Sequence, residues 1–394
     1  MPSPVLAAIE ERAEEIAAFG PASEAEGKLT DGAVKVLRDV GIMKMLAPKT
    51  YGGFESHPVE WAEAVMRLGS LDGATGWLGG IVGVHPWEVA MADPKVQAEI
   101  WGADDNVWVG SPYAPMGVLK PADQGYVFNG HWQFSSGTDH CDWLFLGALL
   151  GDETGAPIMP PRMVHVLIPR SDYEIVQDSW DVVGLKGTGS KDIKVKGAFV
   201  PDYRVVSYDK LADGSLAREM GLENPLYSVP FSGIFPLGIT SAVIGIAEGA
   251  LAHHLAYQRG RVQITGTKIK DDPYVLTAIG EASAEIHASR TVLLDNVNRL
   301  YDGVAAGRTY SFAERADSRR NQVSAAWRAV RAVDEIVARS GGNGLRMDHP
   351  LQRFWRDAHM GLAHAIHVPG SVNHVSALGQ VGLEAPPGPM RAMI

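Results

Sequence analysis

Apolar residues recur at helical spacing from residue 4 to about 101, as in Ala33, Val36, Leu37 and Val40 and again in Trp61, Ala64, Val65 and Leu68. Positions three and four apart share one face of a helix, so these runs predict amphipathic helices, with proline and glycine marking the breaks. The period shortens between residues 106 and 207. Runs at 107–109, 126–128, 143–146, 163–168, 173–176 and 193–200 are rich in β-branched and aromatic residues and are separated by turn residues. They predict the strands of a small antiparallel barrel or sandwich. Helical periodicity returns from residue 236, over 242–257, 274–305 and 313–339. Strands gathered between helical runs give an α+β chain with segregated layers, in three units: helical 1–105, β 106–215 and helical 216–394. The apolar, glycine-rich run 233–250 predicts a buried helix, and the glycine-containing, charged stretch 209–225 predicts a mobile loop.

Composition narrows the partners. The 394 residues carry a net charge of −11, and an acidic chain lacks the clustered Lys and Arg that hold a phosphate backbone, so no nucleic acid is expected. The single cysteine, Cys141, excludes an intramolecular disulfide and a multi-cysteine metal site. An acidic, amphipathic N-terminus lacks the basic start and apolar core of a signal peptide, and no uncharged apolar run reaches the ~18 residues of a membrane span. Cytoplasmic residence, with no membrane partner, is the expectation.

Several segments carry candidate chemistry. In 351–365, LQRFWRDAHMGLAHA, Asp357 and His364 are seven apart, which on one helix puts them on nearly the same face but about 10 Å apart along the axis. They cannot form a direct dyad. His364 and His367 have no third ligand in a zinc-binding pattern, so no metal is expected. Segment 130–137, GHWQFSSG, sets Ser135 and Ser136 beside Phe134 at a strand end. Segment 184–190, GLKGTGS, lies between strand-like runs and spaces its glycines G-x-x-G-x-G, which reads as a tight turn and not as the dinucleotide-binding fingerprint. Arg261 follows a long helix, where a guanidinium can hold a phosphate bidentately. Residues 340–344, SGGNG, read as a helix C-cap and turn. Trp77 and His85 lie in helical territory, where core packing is the plain reading.

The strings GATGW, IVGVH, SPYAPMG, FSSGTDH, DSWDVVGLKGTGS and QRFWRDAH together resemble the acyl-CoA dehydrogenase fold family over nearly the full length. Within it they resemble the oxygenase components of two-component flavin-dependent aromatic monooxygenases, above all those acting on a seco-steroid phenol. The resemblance implies a C-terminal four-helix bundle and a homotetramer. It also implies reduced FMN supplied by a separate flavin reductase, with FAD as the alternative. Reaction with O₂ would give a C4a-hydroperoxyflavin that hydroxylates a small phenolic substrate ortho to its hydroxyl. In the dehydrogenases of this family the catalytic glutamate follows the Arg356-Asp357 pair at a spacing that falls here on Ala365, and alanine cannot take a proton. His364 is then implied to deprotonate the phenol or position the peroxide, and Ser136 to meet flavin N5. Trp77, Phe134, Ser135, Met163, Arg261, Gly342, Asn343, His364 and Ala365 are implied flavin neighbours, and His85 and Tyr113 are implied to line the substrate pocket. Phe134 stands where the resemblance leads one to expect tryptophan. Three other readings compete: an acyl-CoA dehydrogenase with a relocated base, a sulfur- or nitrogen-oxidising monooxygenase of the same fold, and a flavin-free scaffold.

Overall fold

The computed structural model describes residues 3–386 together with Arg391 and Ile394. Its central element is the helix Phe231–Gln258, apolar on all sides and buried almost throughout. Among the described residues this is the one helix long and apolar enough to cross a membrane, and 89% of its most apolar window is buried inside the protein, so it is a core helix. The N-terminal helix Pro58–Leu71 lies against it at close range: a Cβ on Gly245 would sit 2.1 Å from the Met66 carbonyl oxygen. Pro236 interrupts the core helix's own hydrogen bonding, since proline has no N–H to give the carbonyl four residues before it. The buried amide of Gln322 donates to that Ser232 carbonyl instead, at 3.2 Å.

Around the core helix stand Pro273–Ala305, Phe312–Ala338, Pro350–Leu362 and the shorter Pro369–Gln380. Their starts are specified locally. Asp272 caps the first of these, Ser311 and Glu314 form a reciprocal capping box at the second, and His349 caps the third.

The middle of the chain forms one eight-stranded sheet of β1 (Val109–Gly110), β2 (Gly117–Ala122), β3 (Gly125–Ser135), β4 (Trp143–Leu150), β5 (Met163–Pro169), β6 (Glu174–Val176), β7 (Lys191–Pro201) and β8 (Val205–Ser207). The order is β6-β7-β3-β2-β4-β5-β8, with β1 beside β4. Most neighbours are antiparallel, but β2–β4 and β1–β4 are parallel, a departure from the wholly antiparallel expectation. It arises because β2 turns back on β3 in a hairpin and meets β4 along its other edge. The stretch 209–225 also departs from the predicted loop. It holds the short helices Tyr208–Ala212 and Ser215–Glu219, each followed within two residues by a glycine of positive φ, Gly214 and Gly221. Those glycines are helix stops, and Leu211 and Ala217 bury the inner faces.

The close approach at Gly245 leaves no room for a methyl group. Gly245→Ala is expected to lower unfolding stability by about 1–3 kcal/mol through overpacking, read as a lower denaturant midpoint at unchanged m-value.

Candidate active site

Strand β3 ends in a distortion. Its register with β7 slips between Trp132 and Ser135, and Phe134 takes a left-handed backbone (φ 64°) that costs a non-glycine residue roughly 1–2 kcal/mol. The distortion holds the Phe134 ring 59% exposed while turning Ser135 and Ser136 inward. Ser135 Oγ donates to the Ser111 carbonyl at 3.0 Å. Ser136 heads a chain of hydrogen bonds whose direction is fixed from its far end. Thr188 Oγ1 donates to the Leu185 carbonyl (2.8 Å), so it accepts from Ser190 Oγ (2.7 Å). Ser190 must then accept from Ser136 (2.7 Å), and Ser136 accepts from the Trp77 indole N–H (3.1 Å). The Ser136 proton is therefore committed inward, and its oxygen keeps one lone pair to accept a further bond.

The loop supplying Thr188 and Ser190 is docked on the Pro350–Leu362 helix by the Arg356-Asp357 pair. Asp357 Oδ1 accepts from the Leu185 N–H at 2.6 Å, and the Arg356 guanidinium donates to the Val183 carbonyl. The glycine-rich string thus positions Ser136 through Ser190 and Thr188.

His364 is not on the helix that its spacing from Asp357 predicted. The helix stops at Leu362, and His364 adopts an extended backbone (φ −60°, ψ 141°) as the cap of a short turn, Ala365–His367. Three helices hold that turn. Buried Arg319 donates to the Ile366 carbonyl at 2.6 Å and also to Gln322. The Trp327 indole donates to the His367 carbonyl at 2.8 Å. His367 bonds Thr240 of the core helix at 3.1 Å and the Gly361 carbonyl at 3.0 Å. His364 Nδ1 accepts from the Ile366 N–H at 3.2 Å, and its ring lies 5.7 Å from that of Trp77. Enclosure by protein, then the nearby Arg319, push the His364 pKa down to about 4 even though the ring retains some accessible surface. A neutral imidazole whose Nδ1 is an acceptor carries its proton on Nε2, so His364 faces the site as a donor. Ala365 is exposed.

Trp77, Ser135, Ser136, Phe134, His364 and Ala365 thus belong to one group on adjoining segments. Arg261 belongs to a second. Its guanidinium lies 3.2 Å from Gln258 Oε1 and stacks over Tyr257, and it runs so close to Gly341 that a Cβ there would meet it at 2.9 Å. Gly341 has a positive φ (70°), and Gly342 and Asn343 are exposed beside it. On the core helix, Thr240, which bonds His367 next to the His364 turn, precedes Gln258, the Arg261 partner, by 18 residues, roughly 27 Å along the axis. Met163 joins neither. It opens β5 opposite Leu149, at the far end of the sheet from Ser135, in a groove with Tyr126, Arg162 and Asp209. The β pattern placed Met163 on a strand but said nothing of which end.

His85 and Tyr113 meet in the interior, Nδ1 to Oη at 2.8 Å. Two residues that sequence reasoning missed complete their surroundings. Tyr113 donates to Glu88, and Glu88 Oε1 accepts from His165 Nδ1 at 2.6 Å. The signal was present: Glu88 and His165 each stand alone in an apolar run, and a buried charged residue needs a partner.

The pieces fit a reduced flavin. An exposed aromatic face, a serine oxygen with an unused lone pair and an imidazole N–H suit the edge of the ring system, and Arg261 suits a phosphate. Comparisons with known proteins agree. The acyl-CoA dehydrogenase C-terminal domain family matches residues 237–369. A pigment production hydroxylase of Rhodococcus erythropolis is 56% identical, covering 99% of each chain. The oxygenase subunit HsaA, a flavin-dependent monooxygenase of Mycobacterium tuberculosis, is 40% identical over 98% of this chain and 96% of its own. The crystal structure of 3-HSA hydroxylase from Rhodococcus sp. RHA1 superposes with a TM-score of 0.93 at 35% identity, covering 99% of each chain. Relatives at 31% and 30% identity are oxygenase components of a resorcinol hydroxylase and of p-hydroxyphenylacetate 3-hydroxylase.

Titration of the site groups runs in two directions. Burial first, and in His85 and His367 a neighbouring histidine next, depress both to about 3, as His364 is depressed to about 4. Each favours folding above its unfolded value near 6.5 and loses that contribution as pH falls. Asp357 is pushed up to about 7, by burial first, so it favours folding at low pH and loses that contribution as pH rises from about 4 to 7. The thermal midpoint is expected to fall between pH 7 and 5 because the histidines outnumber the aspartate. Asp357→Asn should make that fall steeper; a shallower fall in a pH series of melts would contradict the assignment.

Proposed function

This chain belongs to the oxygenase components of flavin-dependent monooxygenases built on the acyl-CoA dehydrogenase fold, and from that membership we propose that it hydroxylates a phenolic ring ortho to its hydroxyl, using reduced FMN from a separate reductase and O₂. The observation that carries the reading is the site's make-up: hydroxyls, an indole and an imidazole gather there, and by the family's spacing Ala365 falls where a dehydrogenase carries its carboxylate. Reduced flavin, when bound, supplies the electrons with which O₂ is activated for insertion of one oxygen atom.

The residues of this chain do the rest. Ser136 offers its oxygen to a ring N–H, with its own proton held away by Ser190. His364, as a donor at Nε2, stabilises negative charge on the reacting oxygen, a role the tautomer supports better than proton removal from the phenol. His85, whose Nδ1–H is spent on Tyr113, presents a bare Nε2 to a phenol hydroxyl. Trp77 and the apolar surroundings keep water from the ring face. A steroid-derived phenol is supported by the relatives named HsaA and 3-HSA hydroxylase, and FMN by a single arginine suited to a terminal phosphate. The roughly 27 Å of core helix from Thr240, beside the His364 turn, to Gln258, beside Arg261, exceeds the ring-to-phosphate reach of FMN. Each flavin would then take its ring contacts from one copy and Arg261, Gly342 and Asn343 from another, in keeping with a homotetramer.

Anaerobic titration with reduced FMN, then mixing with O₂ and a phenol, tests the reading by the split between catechol and hydrogen peroxide. Ser190→Ala should free the Ser136 proton and move most of the flux to peroxide. His364→Ala should slow ring hydroxylation on the order of 10²-fold. Reduction of bound FAD by an acyl-CoA, without any phenol product, would replace this reading with a dehydrogenase.

A further inference from the structure

Behind His85 lies a polar network with no counterpart in the flavin group. Glu88 is 1% exposed and His165 0%, and the His165 ring sits among Tyr113, Phe145, Tyr208 and Phe231. The Glu88 carboxylate accepts two hydrogen bonds, one from Tyr113 and one from His165 Nδ1. The Tyr113 and His165 rings stack face to face, 4.1 Å apart and 8° from parallel, so the tyrosine cannot swing away from the carboxylate without losing the stack. Because the Tyr113 proton is directed at Glu88, its oxygen can only accept from His85, and His85 must carry its proton on Nδ1. His85 Nε2 is then a lone pair, fully buried and without a partner. A buried acceptor left unpaired costs about 1–3 kcal/mol; the network leaves two such nitrogens, His165 Nε2 in its interior and His85 Nε2 at its end, and the one at its end points to a donor that arrives with a ligand.

We propose that Glu88, braced by His165, is a positioning residue that acts through Tyr113 to fix the His85 tautomer, so that the pocket selects rings bearing a free hydroxyl over isosteric rings that have no donor. The inference rests on the phenol-hydroxylase reading and deepens it by naming what sets its substrate class. No proton leaves the substrate in this step: the phenol O–H donates to Nε2, and the Tyr113–Glu88 bond keeps that nitrogen bare. An imidazole free to hold its proton at Nε2 would turn away the same hydroxyl as donor.

The test uses full-length protein loaded anaerobically with reduced FMN and compares its affinity for 4-methylphenol and for 4-fluorotoluene, which has nearly the same shape and no O–H. The wild type is expected to prefer the phenol by about tenfold or more, the value of one well-made buried hydrogen bond. Tyr113→Phe, which keeps the ring stack and removes the link, should bring the two affinities within about threefold, and Glu88→Gln should do the same. A purely structural role would weaken both ligands together and leave their ratio intact, and that result in a folded variant overturns the proposal. If Glu88→Gln does not fold, Tyr113→Phe decides alone. Wild-type protein that takes up reduced FMN and binds neither aromatic overturns the underlying reading. A wild type that hydroxylates 4-methylphenol yet shows no preference overturns this inference only.

Discussion

A buried arginine holds the arrangement together. Arg319 donates to the Ile366 carbonyl and to Gln322, and Gln322 in turn satisfies the Ser232 carbonyl that Pro236 leaves without a helical partner. One guanidinium therefore ties the break in the core helix to the turn that carries His364. Burial pushes its pKa down to about 10, still far above neutrality, so the charge persists where no water can offset it. The turn after Leu362 is defined by this anchor: without it, Ile366 would present an unpaired carbonyl in the core, and the Ile366 N–H that sets the His364 tautomer would not be held in place.

Direction of hydrogen bonding, more than proximity, separates the roles of the polar groups. Two neutral histidines reach the site region, His364 from the turn after Leu362 and His85 from the first position of the short helix His85–Val89. His364 accepts at Nδ1 and is left a donor, whereas His85 donates at Nδ1 and is left an acceptor. Ser136 is likewise left an acceptor because the proton of every hydroxyl in its chain points toward Leu185. A site with acceptor, donor and acceptor held in fixed orientation suits a reduced ring N–H, a reacting oxygen and a phenol hydroxyl in turn.

The helical and β runs were legible because period and burial agree: the helices at 274–305 and 313–339 fall within a residue or two of their predicted ends, and Ser136, Trp77 and His364 do converge. What the chain did not disclose depends on distant partners. The stop at Leu362 follows from contacts with Arg319 and Thr240, over 40 and 120 residues away in sequence, so local spacing carried His364 wrongly along the helix. The Arg356-Asp357 pair was read for its distance to a missing carboxylate, while its contacts go to the loop behind Ser136. Met163 shows the same limit, since alternation fixes a side chain's face but not its distance along the sheet from a given residue.

The most direct measurement is turnover of full-length protein with reduced FMN and a phenol under ¹⁸O₂, with the product analysed by mass. The account predicts a catechol carrying one labelled oxygen, formed in a single turnover without any acyl-CoA. Quantitative release of labelled hydrogen peroxide with the phenol unchanged, at saturating phenol, would contradict it.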